Sequence, residues 1–352
     1  LSTFHFKSIA EPTLVRSKAV EQVTIATGYQ TMALTFNNDG TKMYTSSMKA
    51  VTPASTAKGD KVYEYDLTTA YNISTAILRT SLDVGTYTGS STHIHGAMQV
   101  VFNNDGTKMF IADHNRHIIE WTLTTPYDID TASTTFNAGQ KFDTGGQEKR
   151  PTSVAFNNDG TKMYVAGNEK SDANPGEVNE YTLDTPFVIE TGVTHIISKD
   201  LSSDHSYIDG IVFNYDGTKM YTTDSEDNVI NQYKLTTAFD ISTLSLQGTL
   251  DLSNYGIEGG RETAFSSDGS KMFVVDEVEV VFEFNLSCNW SIIDGACDDP
   301  ITTSDGGKDI LSSIESQTAT AKQIAIQAST PVLNRMYWLR RHRTSDQLSN
   351  QN

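Results

Sequence analysis

Short apolar runs that alternate with polar positions and break at Asp-Gly turns fill the chain from about residue 30 to 292, and they recur with a period. Phe-Asn-Asn-Asp-Gly-Thr-Lys-Met followed by Tyr or Phe begins at Phe36, Phe102 and Phe156. It returns at Phe213 with Tyr215 in the third place, and at Phe265 as Phe-Ser-Ser-Asp-Gly-Ser-Lys-Met-Phe. The intervals are 66, 54, 57 and 52 residues, the scale of one supersecondary unit of a propeller rather than of a helical repeat. A second motif, Leu-Thr/Asp-Thr-Ala/Pro-Tyr/Phe-x-Ile, follows at Leu67, Leu123, Leu183 and Leu235. It is altered at Leu286 to Leu-Ser-Cys-Asn-Trp-Ser-Ile, with Trp290 in the aromatic place.

Each period holds four strand-like runs, which in the third repeat are 152–156, 162–166, 178–183 and 194–201. The Asp-Gly between the first two supplies the positive backbone dihedrals of a tight hairpin, so the first motif predicts a turn with two flanking strands. Its likeness to a calcium loop lacks the later bidentate Glu. The predicted fold is all-β, a five-bladed β-propeller of four-stranded blades, with six blades as the alternative. The fifth repeat shows three runs (263–265, 271–275, 280–286) and no outer strand, and Val20 to Ala26 is expected to complete that blade and join the two ends of the ring, removing a free sheet edge. The expected organisation is an N-terminal extension over 1–19, the propeller over 20–292, a cysteine clasp and linker over 293–307, and a helical tail over 308–352.

The Asp-Gly hairpins resemble the Ser-Pro-Asp-Gly hairpins of YVTN-type propeller repeats, and residues 109–121 (MFIADHNRHIIEW) resemble an NHL-type repeat; the likeness covers 30 to about 292 and implies a fold, not an activity. Residues 318–352 are similar to the connector that precedes the outer-membrane barrel of bacterial autotransporter-like surface proteins. That resemblance implies an exported passenger at the extracellular or outer-membrane surface of a bacterium, although this sequence carries no strands after Asn352 to form the barrel.

Charge and composition narrow the partners. A net charge of −18 argues against nucleic acid. No apolar run approaches the length of a membrane-spanning helix, and the chain opens at Leu1 without a Met, as a mature or excised fragment would. From Lys308 onward the balance reverses, with six basic residues against three acidic. The group Arg340, Arg341, His342, Arg343 beside Met336, Tyr337 and Leu339 suits a membrane surface, an acidic partner or a neighbouring subunit. Cys288 and Cys297 flank an Asp-Gly turn; they read as a local disulfide clasp in an exported chain, or as two buried thiols, but not as a zinc site.

The chain has no GxSxG, P-loop, HExxH or CxxC motif. In a four-stranded blade, the loop from second to third strand and the crossing to the next blade open on the same side. That geometry gathers His93 and His95 with His114 and His117, a set able to hold a divalent metal ion, or merely a polar loop with turn-capping histidines. The same face should carry Glu148 and Arg150, then His205, Tyr207 and Asp209, then Glu258, Arg261 and Glu262, a set of carboxylates, guanidinium and rings suited to a sugar. Asp113, Asp224 and Asp276, and the register Glu64, Glu120, Glu180, Gln232, Glu283, repeat from blade to blade and read as architectural. The leading expectation is a non-enzymatic surface propeller acting in adhesion, binding a glycan or protein ligand. A propeller hydrolase, metal-assisted or glycoside-acting, and a virion or filament component are the alternatives.

Overall fold

The computed structural model describes residues 29–49, 60–85, 96–133, 140–167, 176–277 and 280–293. Blade 1 is β1 (Tyr29–Phe36), β2 (Lys42–Lys49), β3 (Lys61–Leu67) and β4 (Ala76–Asp83). Blade 2 is β5 (Ala97–Phe102), β6 (Lys108–Asp113), β7 (His117–Thr122) and the short β8 (Lys141–Asp143). Blade 3 is β9 (Pro151–Phe156), β10 (Lys162–Gly167), β11 (Glu177–Leu183) and β12 (Val193–Asp200). Blade 4 is β13 (Gly210–Phe213), β14 (Lys219–Asp224), β15 (Val229–Leu235) and β16 (Leu244–Asp251), and blade 5 is β17 (Gly260–Phe265), β18 (Lys271–Asp276) and β19 (Val281–Asn285). Every blade is an antiparallel meander in chain order. Among the described residues blade 5 has three strands. The expected closing strand Val20–Ala26, the tail 308–352, His93, His95 and Cys297 lie outside the described residues.

Five hydrophobic clusters make up the core, one at each junction of neighbouring blades, and the one between blades 2 and 3 also takes in Met32 of blade 1. The one that closes the ring joins Leu34 and Met43 of blade 1 to Phe273 and Val275 of blade 5. Five such interfaces in five blades leave no place for a sixth. Each motif phenylalanine at the end of an innermost strand packs on the second-strand aromatic of the preceding blade, with ring centroids 4.5 Å apart for Phe102 on Tyr44, 4.6 Å for Phe156 on Phe110 and 4.7 Å for Phe36 on Phe273. Tilted aromatic contacts of this kind add to simple burial, so the repeat's most regular apolar residue is an interblade bolt.

The second motif is explained by the first. Tyr71, Tyr127, Phe187, Phe239 and Trp290 all adopt left-handed backbone, with φ between 54° and 59°, and each donates its N–H to the carbonyl of its own blade's Asp-Gly glycine. The carbonyl of that aromatic residue then accepts from the preceding blade: from Tyr44 Oη at 2.6 Å, Lys108 Nζ at 2.8 Å, Tyr164 Oη at 2.6 Å, Lys219 Nζ at 3.0 Å and Lys271 Nζ at 2.9 Å around the ring. The acidic register in the third strand completes this latch. Carboxylates of Glu64, Glu180 and Glu283 accept from the N–H of Ile129, Ile241 and Ile73 in the following blade, and Gln232 accepts from Ile292. Buried acceptors satisfied across an interface in this way hold the blades in one register, which is the architectural role their repetition implies.

Candidate functional site

Innermost strands run from the loop face to the hairpin face, so equivalent positions stack as layers along the ring axis. Four residues before each motif phenylalanine stand Met32, Met98, Thr152, Asp209 and Arg261. Three residues before it stand Ala33, Gln99, Ser153, Gly210 and Glu262. These two layers are where the blades cease to be alike, and a unique site needs that difference.

In the first of them the structure brings Asp209 and Arg261 together. Arg261 Nη1 lies 3.3 Å from Asp209 Oδ1 and 2.9 Å from Ser225 Oγ, and Nη2 lies 2.7 Å from Glu277 Oε2. Asp209 Oδ2 accepts from Ser225 N at 2.9 Å. Burial pushes the Asp209 carboxyl above its ordinary range, while Arg261 and the hydrogen bonds from Ser225 pull it down. The Arg261 side chain is 17% exposed and that of Glu277 38%, so the cluster meets solvent at its Glu277 side. Arg261 Nε is buried and makes no hydrogen bond among the described residues.

The other predicted residues are distributed more widely. Tyr207 is buried in the crossing to blade 4, where its N–H donates to Asp224 at 3.0 Å. Glu148 is buried and accepts from the Arg150 N–H at 2.7 Å, so this pair shapes the crossing into blade 3. Glu258 is exposed at the crossing into blade 5. His114 is half-buried in the loop after β6, and His117 opens β7 with Nδ1 3.8 Å from Asp113 Oδ2. Among the described residues no three His, Cys, Asp or Glu side chains are grouped to hold a metal ion, and the other two proposed ligands, His93 and His95, lie outside them. Cys288 is described and its expected partner is not.

His205 sits inside blade 4 with Nε2 2.5 Å from Thr222 Oγ1 and Nδ1 3.5 Å from Asp224 Oδ2. The order hydroxyl, imidazole, carboxylate has the form of a charge-relay triad. Thr222 is completely buried, so no substrate reaches its hydroxyl, and the group acts as a polar brace.

The second layer plugs the axis. Gln99 Oε1 accepts from Ser153 Oγ at 2.6 Å, and its Nε2 donates to the carbonyl of Ile211 at 3.4 Å. Glu262 is packed so closely on Gly210 that a Cβ there would stand 2.7 Å from its Oε1. Burial raises the Glu262 carboxyl well above its ordinary value, outweighing the Thr263 N–H and the nearby Gln99 side chain, and Asp209 adds to the rise. Below the plug, toward the hairpin face, the axis opens into a cavity of ≈ 700 Å³. Repeat alignment finds both layers once the strand register is known. Gln99 stands out only in that alignment, and nothing in the local pattern around Ser225 and Glu277 marks them.

No family model matches the chain, and no curated protein matches it in sequence. Among solved structures, it is similar to a protein of Bacteroides uniformis provisionally described as a 6-phosphogluconolactonase, with 12% identity over 72% of this chain and 67% of that one and a TM-score of 0.41. A second such protein, from Bacteroides fragilis, shows 13% identity over 72% of this chain and 79% of that one, with a TM-score of 0.45.

Proposed function

We propose that the protein is a non-enzymatic binding propeller that takes a hydroxyl-rich ligand of the glycan class on its loop face, between blades 4 and 5. One observation carries this reading. Opposite charges, Asp209 and Arg261, are held 3.3 Å apart at the repeat position that Met32, Met98 and Thr152 fill elsewhere. A guanidinium fixed by three partners and a partly exposed carboxylate at Glu277 offer a sugar both donors and acceptors without reorganisation. Glycan-array capture followed by calorimetric titration tests it: Arg261→Ala should weaken the captured glycan at least tenfold, and an unchanged affinity or a silent array would overturn it.

A glycoside-acting hydrolase is the second reading, favoured by the adjacency of two acids, Asp209 and Glu262, that are both pushed above the ordinary carboxylate range. Elevated acids cluster at catalytic sites, but both side chains are buried, Asp209 against Arg261 and Glu262 within the axial plug itself. Release of nitrophenol from a panel of nitrophenyl glycosides, abolished by Asp209→Asn, would favour this reading over simple binding. Placement at an extracellular or outer-membrane surface, and a role in adhesion, rest on the resemblance of the tail to a pre-barrel connector.

A further inference from the structure

The hairpin face carries a second opening that the loop-face reading does not use. Its cavity runs along the axis from a mouth formed by the Asp-Gly turns to the plug at Gln99 and Glu262, and the phenylalanines that end the innermost strands line it. The layer just below the plug is Thr35, Val101, Ala155, Val212 and Ala264, small or β-branched side chains that leave the bore open. The mouth is braced from blade to blade: Asn38 Nδ2 donates to the carbonyl of Asn104 at 2.6 Å, Asn104 to that of Asn158, and Asn158 to that of Tyr215.

Two features give this channel a chemical preference. At the closed end Glu262 is fully buried, and its Oε2 has no hydrogen-bond partner among the described residues. One residue beyond Asn38, Asn104, Asn158, Tyr215 and Ser267, which line the mouth, come the five turn aspartates. Asp39, Asp105 and Asp159 are held below the ordinary carboxylate range by the hydroxyls and N–H groups of Thr41, Thr107 and Thr161. Asp268 is held low by Ser266 and Ser270, and Asp216 stays low against its burial through Thr218. The lysines of the same hairpins do not cancel this collar, because Lys42, Lys108, Lys162 and Lys271 are already paired with the third-strand glutamates. Ionised carboxylates flanking an opening attract cations, aromatic walls tolerate them, and a buried carboxyl oxygen without a partner is costly until one arrives.

We propose that the axial channel binds a primary ammonium group on a slender apolar stem, which enters through the aspartate collar, passes the phenylalanine ring and pairs with Glu262 at the plug. The chemistry is shared by a free alkylamine and by a lysine side chain of a partner protein.

Calorimetric titration of the full chain with 1-aminopentane, with 1-pentanol and with Nα-acetyl-lysine methylamide tests the proposal. The expected result is saturable binding of the amine, at least tenfold weaker binding of the alcohol, and at least tenfold loss of amine affinity in Glu262→Gln. Equal binding of the lysine derivative would point to a protein side chain as the natural source, and binding of the simple amine alone to a small free amine. A second variant, Thr35→Phe, leaves the carboxyl in place and narrows the bore; it should also abolish amine binding. Absence of amine binding, equal binding of alcohol and amine, or full affinity in either variant with circular dichroism like that of the parent would overturn the proposal. Amine binding beside a silent glycan array, or glycan capture without amine binding, shows that the loop-face reading and this one fail separately.

Discussion

The ring of Tyr71 packs directly on Gly40, occupying the space that a Cβ at that glycine would need, and the same relationship joins Gly106 to Tyr127, Gly160 to Phe187, Gly217 to Phe239 and Gly269 to Trp290. The glycine is required twice over, by its left-handed φ of about 70° and by the ring above it. Gly160→Ala should therefore cost about 1–2 kcal/mol for the backbone and about 1–3 kcal/mol more for overpacking, read as a fall in the urea midpoint with an unchanged m-value.

The latch glutamates can be tested by what the fourth blade already does. Gln232 fills the position with an amide whose oxygen accepts from Ile292 N at 3.0 Å. Glu180→Gln keeps an acceptor for Ile241 N and leaves Lys162 its bond to the Phe239 carbonyl, so it should cost no more than about 1.5 kcal/mol. Glu180→Ala removes the acceptor and leaves the lysine without its carboxylate, and should cost about 3 kcal/mol. Equal destabilisation of the two variants in chemical denaturation would contradict the latch.

Glu262 predicts a specific pH dependence. Its folded-state pKa is raised above the ordinary 4.5, so between those two values the native chain holds a proton that the unfolded chain has released. Stability from this group is fully present below about 4.5 and is lost as pH rises toward the folded value. Glu262→Gln cannot ionise in either state. Its melting temperature should exceed that of the parent at pH 8, and the difference should shrink as the pH falls to 4.5. A difference that grows on acidification would contradict the assignment.

The fold was legible because its determinants are local and repeated. The four strands predicted for the third repeat, 152–156, 162–166, 178–183 and 194–201, fall on β9 to β12 within two residues at each end, since Asp-Gly turns and period-two alternation fix both hairpin and face. Trp290 was placed correctly as the fifth aromatic despite its altered motif, and it adopts the same left-handed backbone as the other four. The candidate site was legible only in part. Asp209 and Arg261 lie in different blades, 52 positions apart, and topology alone brings them to one face. Glu148 and Tyr207 reach the same face but are buried in their own crossings, while Arg150 stays exposed and gives its backbone N–H to Glu148, a choice set by burial and backbone hydrogen bonds that no short motif encodes. Ser225 and Glu277 follow second strands in loops whose sequences share nothing, so only the assembled ring reveals them.

The central claim, that the loop face between blades 4 and 5 receives a glycan, is tested most directly by a crystal structure with an array-positive glycan bound. The account predicts ligand density within hydrogen-bonding distance of Arg261 and Glu277. Density elsewhere on the propeller, with the Arg261 cluster vacant, would contradict it.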